Sequence, residues 1–541
     1  MDKQTFERNL LALSKNNPLL CSTLSSSITT KGVYRFLEAR SGEVIPALTD
    51  PAGAAHPLHS TVDPRREGER LISTLTEEGY LIFLGLGGAF AAEAALDREA
   101  TKKILVVDYD NNGMAELLSS KDYIKLFQDS RFRLLMDIAP EQLEAYLVQS
   151  YFPAIDGGIR VFPLRIRTEA EQRFNDAAEA LKRAIDSVSR DYSVQAYFGK
   201  RWFSNILRNL PLAEEQTGGI FPVRKALICA AGPSLEEQIP LIKNEKIKTK
   251  DRSESFIIAA DTSLPVLLQG GIEPDAVISI DCQHISYQHF FRKMPEKTFL
   301  FLDLVSQPLV AARTKNRFFF SGGHPLSLYI SRTWRSLPVL DTSGANVTYA
   351  ALSLAENLGA REFALYGADF SYPMGKTYAR GAYIYPYFEK FQSRYFPLEA
   401  QHSAFLYRDS SLQKINAENG KWYYETRTLR FYRDKARQKD KTIREVQYGS
   451  RPLSFFSSGP VRQSAETFLN RYKKSIEDLC SFDLSYNEQN EQAELAATLL
   501  PLAAFIRRIH PLCGGAELFE TVKSCSLELL NGNLPLNPEF K

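Results

Sequence analysis

Small, hydroxyl-bearing residues follow an apolar segment in the middle of the chain. Residues 226–231 are predicted as a buried strand, Gly232 and Pro233 end it, and Ser234 is suited to cap the helix that follows. A helix that begins at Ser234 directs its unpaired amides beyond the end of the strand, where they favour an anion such as phosphate. The same residues are also typical of an ordinary loop in an α/β protein, so this stretch alone leaves both interpretations open.

The same arrangement recurs through the central third of the chain. Apolar runs over 256–260, 276–280, 299–302, 318–320, 338–340 and 362–366 alternate with helical segments. This pattern predicts a mainly parallel sheet that is buried on both faces, and ligands of such sheets bind beyond the carboxyl ends of the strands. The candidate site therefore consists of the hydroxyl, amide and acid groups that follow the runs, namely Ser234, Asp261, Thr262, Asp281, Ser343, Gly344, Asn346 and Asp369.

This set of groups suits a nucleotide with an attached sugar. Ser343 and Gly344 precede a second predicted helix, at 345–358, whose N-terminus is a further candidate for phosphate or ribose binding. Lys376 and Arg380 add positive charge shortly after Asp369. The sequence therefore predicts a nucleotide site that is assembled from several strand ends.

Other chemistries lack support in the sequence. It contains no P-loop and no Gly-x-Ser-x-Gly motif. His284 and His289 follow Asp281 without the spacing of zinc ligands, so we predict ordinary surface or core histidines. Lys and Arg number 66 against 64 for Asp and Glu, and the net charge of +2 gives no reason to expect nucleic acid as a partner.

Composition points to a cytoplasmic protein of several domains. The length of 541 residues corresponds to about three domains. The six cysteines are scattered without a Cys-x-x-Cys pair, which is typical of a reducing compartment. The first residues lack the apolar core of a signal peptide, and the longest mainly apolar run, at 495–506, is too short to span a membrane.

The first part of the chain contains half of a dinucleotide-binding pattern. A predicted strand at 80–84 leads into Gly85, Gly87 and Gly88, and a second predicted strand at 103–109 contains Asp108. An acid about 20 residues after such a turn can bind a ribose hydroxyl. The turn lacks the usual G-x-G-x-x-G spacing, so we predict a structural α/β unit, with a nucleotide or S-adenosylmethionine site as the alternative.

Four segments are predicted along the chain. They are an N-terminal α/β domain at 1–165, a helical connector at 166–222, a central domain at 223–446 and a helical C-terminal domain at 447–541. Residues 381–446 mix aromatic, basic and acidic side chains, which favours a solvated, partly helical insertion over a nucleic-acid surface. The predicted fold class is α/β, with a Rossmann-like, mainly parallel central sheet, a smaller N-terminal α/β domain and an all-helical C-terminal domain.

Several short motifs stand at the predicted strand ends of the central domain. They are Gly-Pro-Ser-Leu at 232–235, Ala-Asp-Thr at 260–262, Gly-Ile-Glu-Pro-Asp at 271–275, Ser-Ile-Asp at 279–281, Ser-Gly at 343–344, Gly-Ala-Asp-Phe-Ser-Tyr at 367–372 and Gly-Lys-Thr-Tyr-Ala at 375–379. This set resembles the motility-associated factor (Maf) family, which comprises bacterial flagellin glycosyltransferases. That family shares its central domain with archaeal 6-hydroxymethylpterin pyrophosphokinases of the MptE-like type, and its core is similar to that of metal-independent sialyltransferases. The resemblance covers 220–380 most closely.

The resemblance implies a reaction and a distribution of roles. The reaction is transfer of a nonulosonic acid, of the pseudaminic or legionaminic type, from a CMP-activated donor to Ser or Thr of flagellin, with no bound cofactor and no metal required. By position, the donor phosphate falls at Gly232 and Ser234, the nucleotide at Asp261, Ser343 and Gly344, and the reacting end at Asp281 and Asp369. Pro233, Thr262 and Asn346 are further candidate binding residues.

One position departs from the family pattern. Where the family usually has a histidine after Gly-x-Thr, this chain has Tyr378. A histidine suits proton transfer at neutral pH better than an ordinary carboxylate. The nearby acids are Asp369, which the family position favours as the base, and Asp281. We expect Tyr378 to donate to the leaving phosphate and Asp369 to orient the acceptor or Lys376. His324 is a candidate base only if it reaches the same cleft.

Two alternative functions stay open. The shared central domain also permits pyrophosphoryl transfer from ATP to a pterin alcohol. A chain that kept the fold and lost the catalytic base would instead be a non-catalytic, flagellin-binding motility factor. The long segments outside the central domain favour a macromolecular acceptor over a pterin.

Overall fold

The computed structural model describes residues 2–15, 17–26, 32–49, 52–164, 171–216, 219, 222–248, 252–291, 294–417, 420–445, 458–482, 484 and 491–532. The chain forms two compact units. The first comprises Met1–Tyr197 with Ile506–Gly515, and the second comprises Phe198–Phe505 with Ala516–Lys541. The domain boundaries at 165, 222 and 446 stay a prediction.

The first unit contains a parallel sheet of four strands in the order β6-β5-β4-β7 and a small antiparallel sheet in the order β1-β2-β3. Its strands are β1 (Tyr34–Glu38), β2 (Val44–Thr49), β3 (Ala55–Pro57), β4 (Glu78–Leu84), β5 (Lys103–Asp108), β6 (Phe132–Met136) and β7 (Gly158–Pro163). Its helices are α1 (Lys3–Ser14), α2 (Pro18–Ser26), α3 (Pro64–Ser73), α4 (Phe90–Leu96), α5 (Asn111–Ser120), α6 (Ile124–Gln128), α7 (Pro140–Ser150) and α8 (Pro153–Asp156).

A single long helix, α9 (Glu171–Glu214), passes from the first unit into the second. It occupies most of the segment that we predicted to be helical. Pro211 lies within the last turn of α9. A proline this close to the helix end removes one backbone hydrogen bond without ending the helix earlier.

The second unit contains a parallel sheet of six strands in the order β12-β11-β10-β9-β8-β13. Its strands are β8 (Lys225–Cys229), β9 (Phe256–Ala260), β10 (Ala276–Ser279), β11 (Phe299–Asp303), β12 (Arg317–Phe320) and β13 (Glu362–Tyr366). The helices that follow these strands are α10 (Leu235–Lys248), α11 (Leu264–Gln269), α12 (Pro308–Ala311), α13 (Pro325–Thr333) and α14 (Val347–Asn357). The predicted α/β fold class, with its mainly parallel central sheet, is confirmed.

The central sheet is buried because its strands are apolar on both faces. All residues of β9, β10 and β12 are buried, and α14 packs across β8, β9 and β10. One predicted strand was wrong. Residues 338–340 form only an isolated bridge, between Val339 and Ser321, because Pro338 cannot donate to a strand ladder.

The chain after the central sheet forms a small antiparallel sheet and several helices. Strands β14 (Tyr372–Pro373), β15 (Gln413–Asn416) and β16 (Trp422–Glu425) make an antiparallel sheet in the order β14-β16-β15. The helices are α15 (Ile384–Glu389), α16 (Leu398–Tyr407), α17 (Arg427–Glu445), α18 (Ala465–Asp478), α19 (Glu491–Ala497), α20 (Leu500–Ile509) and α21 (Gly515–Leu530). Among the residues described, no helix combines the length and apolar character needed to cross a membrane.

Candidate active site

The predicted site residues follow strands whose carboxyl ends lie at one edge of the central sheet. The chain adds β9, β10, β11 and β12 outward on one side of β8, and then returns to place β13 on the other side of β8. Strand order thus reverses between β8 and β13. In open parallel sheets this switch point forms a crevice in which ligands bind.

At the switch point, Asp369 contacts the turn after β8. The Ser234 amide donates to Asp369 Oδ2 at 2.9 Å, and the Gly232 amide donates to the carbonyl of Gly367 at 2.8 Å. A β-carbon on Gly232 would collide with both the Gly367 carbonyl and the Asp369 carboxylate. Glycine is therefore required at 232 by its own neighbours, and this requirement does not depend on a ligand.

The N-terminus of α10 already faces an anionic group. We predicted that Ser234 caps this helix and that its amides face a phosphate. In the structure the carboxylate of Asp369 accepts from the Ser234 amide, and the Pro233 carbonyl accepts from Glu236 at 3.2 Å. A phosphate at this helix end would have to displace the Asp369 carboxylate, because both groups are anions that seek the same amide.

Asp261 and Thr262 lie at the end of β9. The buried Asp261 carboxylate accepts from the Thr262 amide at 2.7 Å and from the Ser279 hydroxyl at 2.6 Å. Burial raises the pKa of Asp261 to about 6, although both hydrogen bonds act in the opposite direction. Asp261 thus ties the ends of β9 and β10 together.

Asp281 follows β10 and is only half-buried. Its carboxylate accepts from the Gln283 amide at 2.9 Å, and its own carbonyl accepts from the Gln307 amide at 3.1 Å. Burial raises the pKa of Asp281, and the neighbouring Asp261 charge adds to the rise. A half-exposed carboxylate with a raised pKa is a suitable proton acceptor near neutral pH.

The sequence did not identify His289 as part of the site. A 3₁₀ segment, His284–Phe290, folds back after β10 and buries His289, whose ring lies edge-on to Tyr383 with centroids 4.4 Å apart. Its Nδ1 atom is buried without a hydrogen-bond partner among the residues described. Burial lowers the pKa of His289 to about 4, and the charge of Asp281 opposes this shift. Only the local fold places this histidine beside Asp281, so spacing along the chain could not reveal it.

Tyr378 completes this group of side chains. The Tyr378 ring lies 6.0 Å from the Tyr383 ring, and the next residue, Ala379, donates its amide to the Ala231 carbonyl at 2.9 Å. Tyr378 therefore stands beside the turn after β8. We call Asp261, Asp281, His289, Tyr378 and Tyr383 the exit cluster.

The backbone groups of the turn before α14 form hydrogen bonds with side chains of the same turn. Asn346 accepts from the Tyr349 amide at 2.9 Å and donates to the Gly344 carbonyl at 2.8 Å. A β-carbon on Gly344 would collide with the Tyr349 ring, and the Ser343 amide donates to Asp341 at 3.0 Å. These contacts give Gly344 and Asn346 structural roles in addition to the nucleotide contact that we predicted.

Asp341 was also missed by the sequence analysis. Its carboxylate accepts from the Tyr349 hydroxyl at 2.6 Å and lies 3.4 Å from Lys439 Nζ. Burial acts to raise its pKa, but hydrogen bonds from Tyr349 and Ser343 and the Lys439 charge lower it to about 2. Asp341 is thus a fixed anion that anchors the 341–349 turn.

His324 lies far from Asp369 along the central sheet. It follows β12, and Asp369 follows β13, at opposite edges of the six-stranded sheet. At the usual spacing between strands, these edges are about 24 Å apart. His324 instead accepts from the Leu326 amide through Nδ1 at 3.1 Å, packs edge-on to Trp202 with centroids 5.6 Å apart, and has a pKa that burial lowers to about 3. The role of His324 as the base stays a prediction.

Two asparagines of α9 hold the strand ends in place. The side chain of Asn205 donates to the carbonyls of Cys282 and Val305, and that of Asn209 donates to the carbonyls of Leu304 and Ser306, at 2.8 to 3.1 Å. Both asparagines are buried. Because they donate to carbonyls after β10 and β11, they fix the loop that carries Asp281.

Across the described part of the chain, no group of three or more His, Cys, Asp or Glu side chains is arranged to hold a metal ion.

In the first unit, the carboxylate of Asp108 accepts hydrogen bonds from backbone amides. Its carboxylate accepts from the amides of Leu86 at 3.0 Å and Tyr109 at 2.7 Å, and it is buried. His59 Nε2 accepts from the Gly88 amide at 2.8 Å and covers the glycine turn. A cavity of about 870 Å³ opens beside Phe83 and His59, but Asp108 does not line it. These contacts support the prediction that the G-x-G-G turn and Asp108 are structural.

Comparisons with known proteins agree with the motifs. Residues 200–375 match the family model described as 6-hydroxymethylpterin diphosphokinase MptE-like. Among solved structures, the chain is similar to a MAf glycosyltransferase from Magnetospirillum magneticum AMB-1, with a TM-score of 0.59, 14% identity and coverage of 98% of this chain and 95% of that one. The resemblance drawn from the motifs is confirmed in the central domain by the family model and in the overall fold by the solved structure.

The relatives in sequence are uncharacterised proteins of Treponema pallidum (strain Nichols). One is 34% identical over 184 residues, which are 33% of this chain and 83% of the relative. Another is 44% identical over 105 residues, and a third is 26% identical over 264 residues. The chain spans only 37% and 43% of the lengths of these last two relatives.

Proposed function

We propose that this chain, which belongs to the same family as the 34% identical Treponema pallidum protein, is a glycosyltransferase that uses a CMP-activated nonulosonic acid. The observation that carries this proposal is the fold shared with a MAf glycosyltransferase over 98% of the chain. The proposed acceptor is a Ser or Thr hydroxyl of flagellin, and the proposed location is the bacterial cytoplasm, where unassembled flagellin is available. Both the acceptor and the location rest on the resemblance.

The donor is proposed to bind at the switch point. Its phosphate accepts hydrogen bonds from the amides at the start of α10, and the Asp369 carboxylate moves away from the Ser234 amide. The nucleoside extends along the strand ends towards Asp261, Thr262 and the 343–346 turn. In this arrangement Asp369 accepts the hydrogen bond of the Ser234 amide until the donor binds.

The reaction needs one bond made and one broken. The acceptor oxygen forms a bond to C2 of the sugar acid as the bond from C2 to the phosphate oxygen breaks, and the electron pair leaves with CMP. The proton of the acceptor hydroxyl passes to a base, for which we propose Asp281 because it is half-exposed, has a raised pKa and belongs to the exit cluster. Tyr378 donates a hydrogen bond to the leaving phosphate. No step is assigned to a metal, so EDTA should leave the rate unchanged.

A pyrophosphokinase acting on a pterin alcohol is the second candidate. The match of residues 200–375 to an MptE-like family model favours it. That activity needs only a small acceptor, whereas this chain has an α/β unit before the matched region and helices after it. The large additional structure favours transfer to a protein.

The test is transfer from a CMP-activated sugar acid to flagellin by the purified full-length chain, followed by the mass of the flagellin. Asp281→Asn should lower the rate by a factor of about 10² to 10⁴, which is typical of the loss of a general base. The exposed acid of α17, Asp434, provides the control variant Asp434→Asn, which should keep the wild-type rate. Turnover of ATP with 6-hydroxymethylpterin, without CMP-sugar turnover, would favour the pyrophosphokinase. Binding of flagellin without either reaction would favour a non-catalytic factor.

A further inference from the structure

Arg408 lies near the exit cluster. It follows α16, and its guanidinium carbon lies 4.1 Å from the centroid of the Phe405 ring. The Phe405 ring lies in turn 6.3 Å from the Tyr378 ring. A chain of ring contacts therefore links the guanidinium of Arg408 to the hydroxyls of the exit cluster.

The charge of Arg408 acts on two of these hydroxyls. Burial raises the pKa of Tyr378 and of Tyr383, and the Arg408 guanidinium opposes the rise at both residues. The Arg408 side chain is exposed, and among the residues described it makes no hydrogen bond or ion pair within 4 Å. Phe405 packs against the guanidinium, and the N–H groups can bind a ligand.

The strand ends carry several acids, so an anionic donor that binds there requires a nearby positive charge. Asp261, Asp281 and Asp369 all follow central strands, and a donor with a phosphate and a carboxylate brings further negative charge. Lys376 and Arg380 are exposed in the loop after β14, and the Arg380 amide donates to Glu236 at the start of α10, at 2.9 Å. Arg380 thus lies near the proposed phosphate site, whereas Arg408 lies closer to Tyr378.

We propose that Arg408 binds the carboxylate of the sugar acid and thereby selects acidic sugars over neutral ones. This proposal rests on the proposed function, because it takes the donor to be a CMP-activated sugar acid. The fork of N–H groups on a guanidinium matches the two oxygens of a carboxylate. The tyrosine hydroxyls of the exit cluster supply further donors beside it. In the donor, the carboxylate is attached to the reacting carbon, so Arg408 also orients that carbon towards Asp281.

The experiment measures three affinities by calorimetry without an acceptor. The ligands are CMP, CMP-N-acetylneuraminate and the methyl ester of CMP-N-acetylneuraminate, whose carboxylate carries no charge. The wild-type chain should bind the acid about 10- to 100-fold more tightly than the ester, as expected for a charged hydrogen-bonded pair. Arg408→Gln should remove this difference and leave the affinity for CMP within twofold. Arg408→Lys keeps the positive charge but lacks the paired N–H groups of the guanidinium, so it should retain part of the difference in affinity between the acid and the ester.

A matched control distinguishes a specific contact from a general loss of charge. Lys414 is another cation stacked on a ring in the same part of the chain, 4.6 Å from the centroid of Trp422. Lys414→Gln should keep the wild-type preference for the acid. A preference that survives in Arg408→Gln would overturn the role of Arg408 while leaving the proposed function intact. A wild-type chain that binds none of the three ligands would overturn the proposed function, and the role of Arg408 with it.

Discussion

The carboxylate of Asp369, after β13, accepts a hydrogen bond from the amide of Ser234, after β8, at 2.9 Å. This contact joins the two strands between which the order of the central sheet reverses. An acid therefore occupies the helix end where the donor phosphate is proposed to bind. Donor binding and the Asp369 contact are mutually exclusive at this amide, and the effect expected of Asp369→Asn depends on that competition.

Asp369→Asn should bind CMP more tightly than the wild-type chain. The asparagine oxygen still accepts from Ser234, but the negative charge that competes with phosphate is gone. Loss of a charged hydrogen-bonding competitor corresponds to about a tenfold gain in affinity. Calorimetric titration of CMP measures the effect. Weaker binding by this variant would show that Asp369 supports the nucleotide instead of competing with it, and a lower transfer rate despite tighter binding would fit its expected role in orienting the acceptor.

Gly232→Ala should destabilise the second unit itself. The added β-carbon meets the Gly367 carbonyl and the Asp369 carboxylate, so the ends of β8 and β13 must move apart. Overpacking of this kind costs about 1–3 kcal/mol. Gly32→Ala, whose β-carbon would lie 3.9 Å from the nearest atom, is the control. Equal melting temperatures of the two variants would contradict this account.

Asp303 should make the stability of the protein fall as pH rises. Burial raises its pKa to about 7, although the amides of Val305, Gly322 and Leu304 donate to it. In the unfolded chain the pKa of an Asp is about 3.9, so between these values the folded state holds the proton more tightly. The stabilisation is complete below about pH 4 and is lost as pH rises through about 7. Melting temperatures at pH 5 and 7.5 test this, since Asp303→Asn should show a smaller decrease between the two pH values than the wild type. The same decrease in both proteins would exclude Asp303 as its source.

Asp108→Asn should affect stability more than catalysis. Its carboxylate accepts from the amides of Leu86 and Tyr109, and an amide nitrogen at either position cannot accept. We expect a loss of about 1–3 kcal/mol in the free energy of unfolding, with CMP-sugar turnover within a few-fold of the wild type. If S-adenosylmethionine binds saturably and this variant weakens that binding, then the structural interpretation of the turn is wrong.

The sequence predicted the central strands well because their signal is local. Each strand of the central sheet is a short apolar run that ends at a small or acidic residue, and six of the seven predicted runs are strands. The exception, at 338–340, contains a proline. The order of the strands was not predicted, and that order is what separates His324 from Asp369.

The side chains that surround the candidate site were harder to predict. His289 and Asp341 reach it through local folding of the 284–290 and 341–349 segments, and Arg408 reaches it from a separate helical layer. None of these positions has a characteristic spacing from the motifs. Asp369 was identified, but its hydrogen bond to Ser234 depends on β13 lying next to β8.

The central claim is that the switch point of the second unit binds a CMP-activated donor. The most direct measurement is the melting temperature of the full-length chain with CMP, ATP and S-adenosylmethionine added separately. A ligand at 100 times its dissociation constant adds about 2.7 kcal/mol to the free energy of unfolding. We predict that CMP raises the melting temperature, that ATP and S-adenosylmethionine do not, and that Asp369→Asn responds to lower CMP concentrations than the wild type. A rise with ATP and none with CMP would contradict the account.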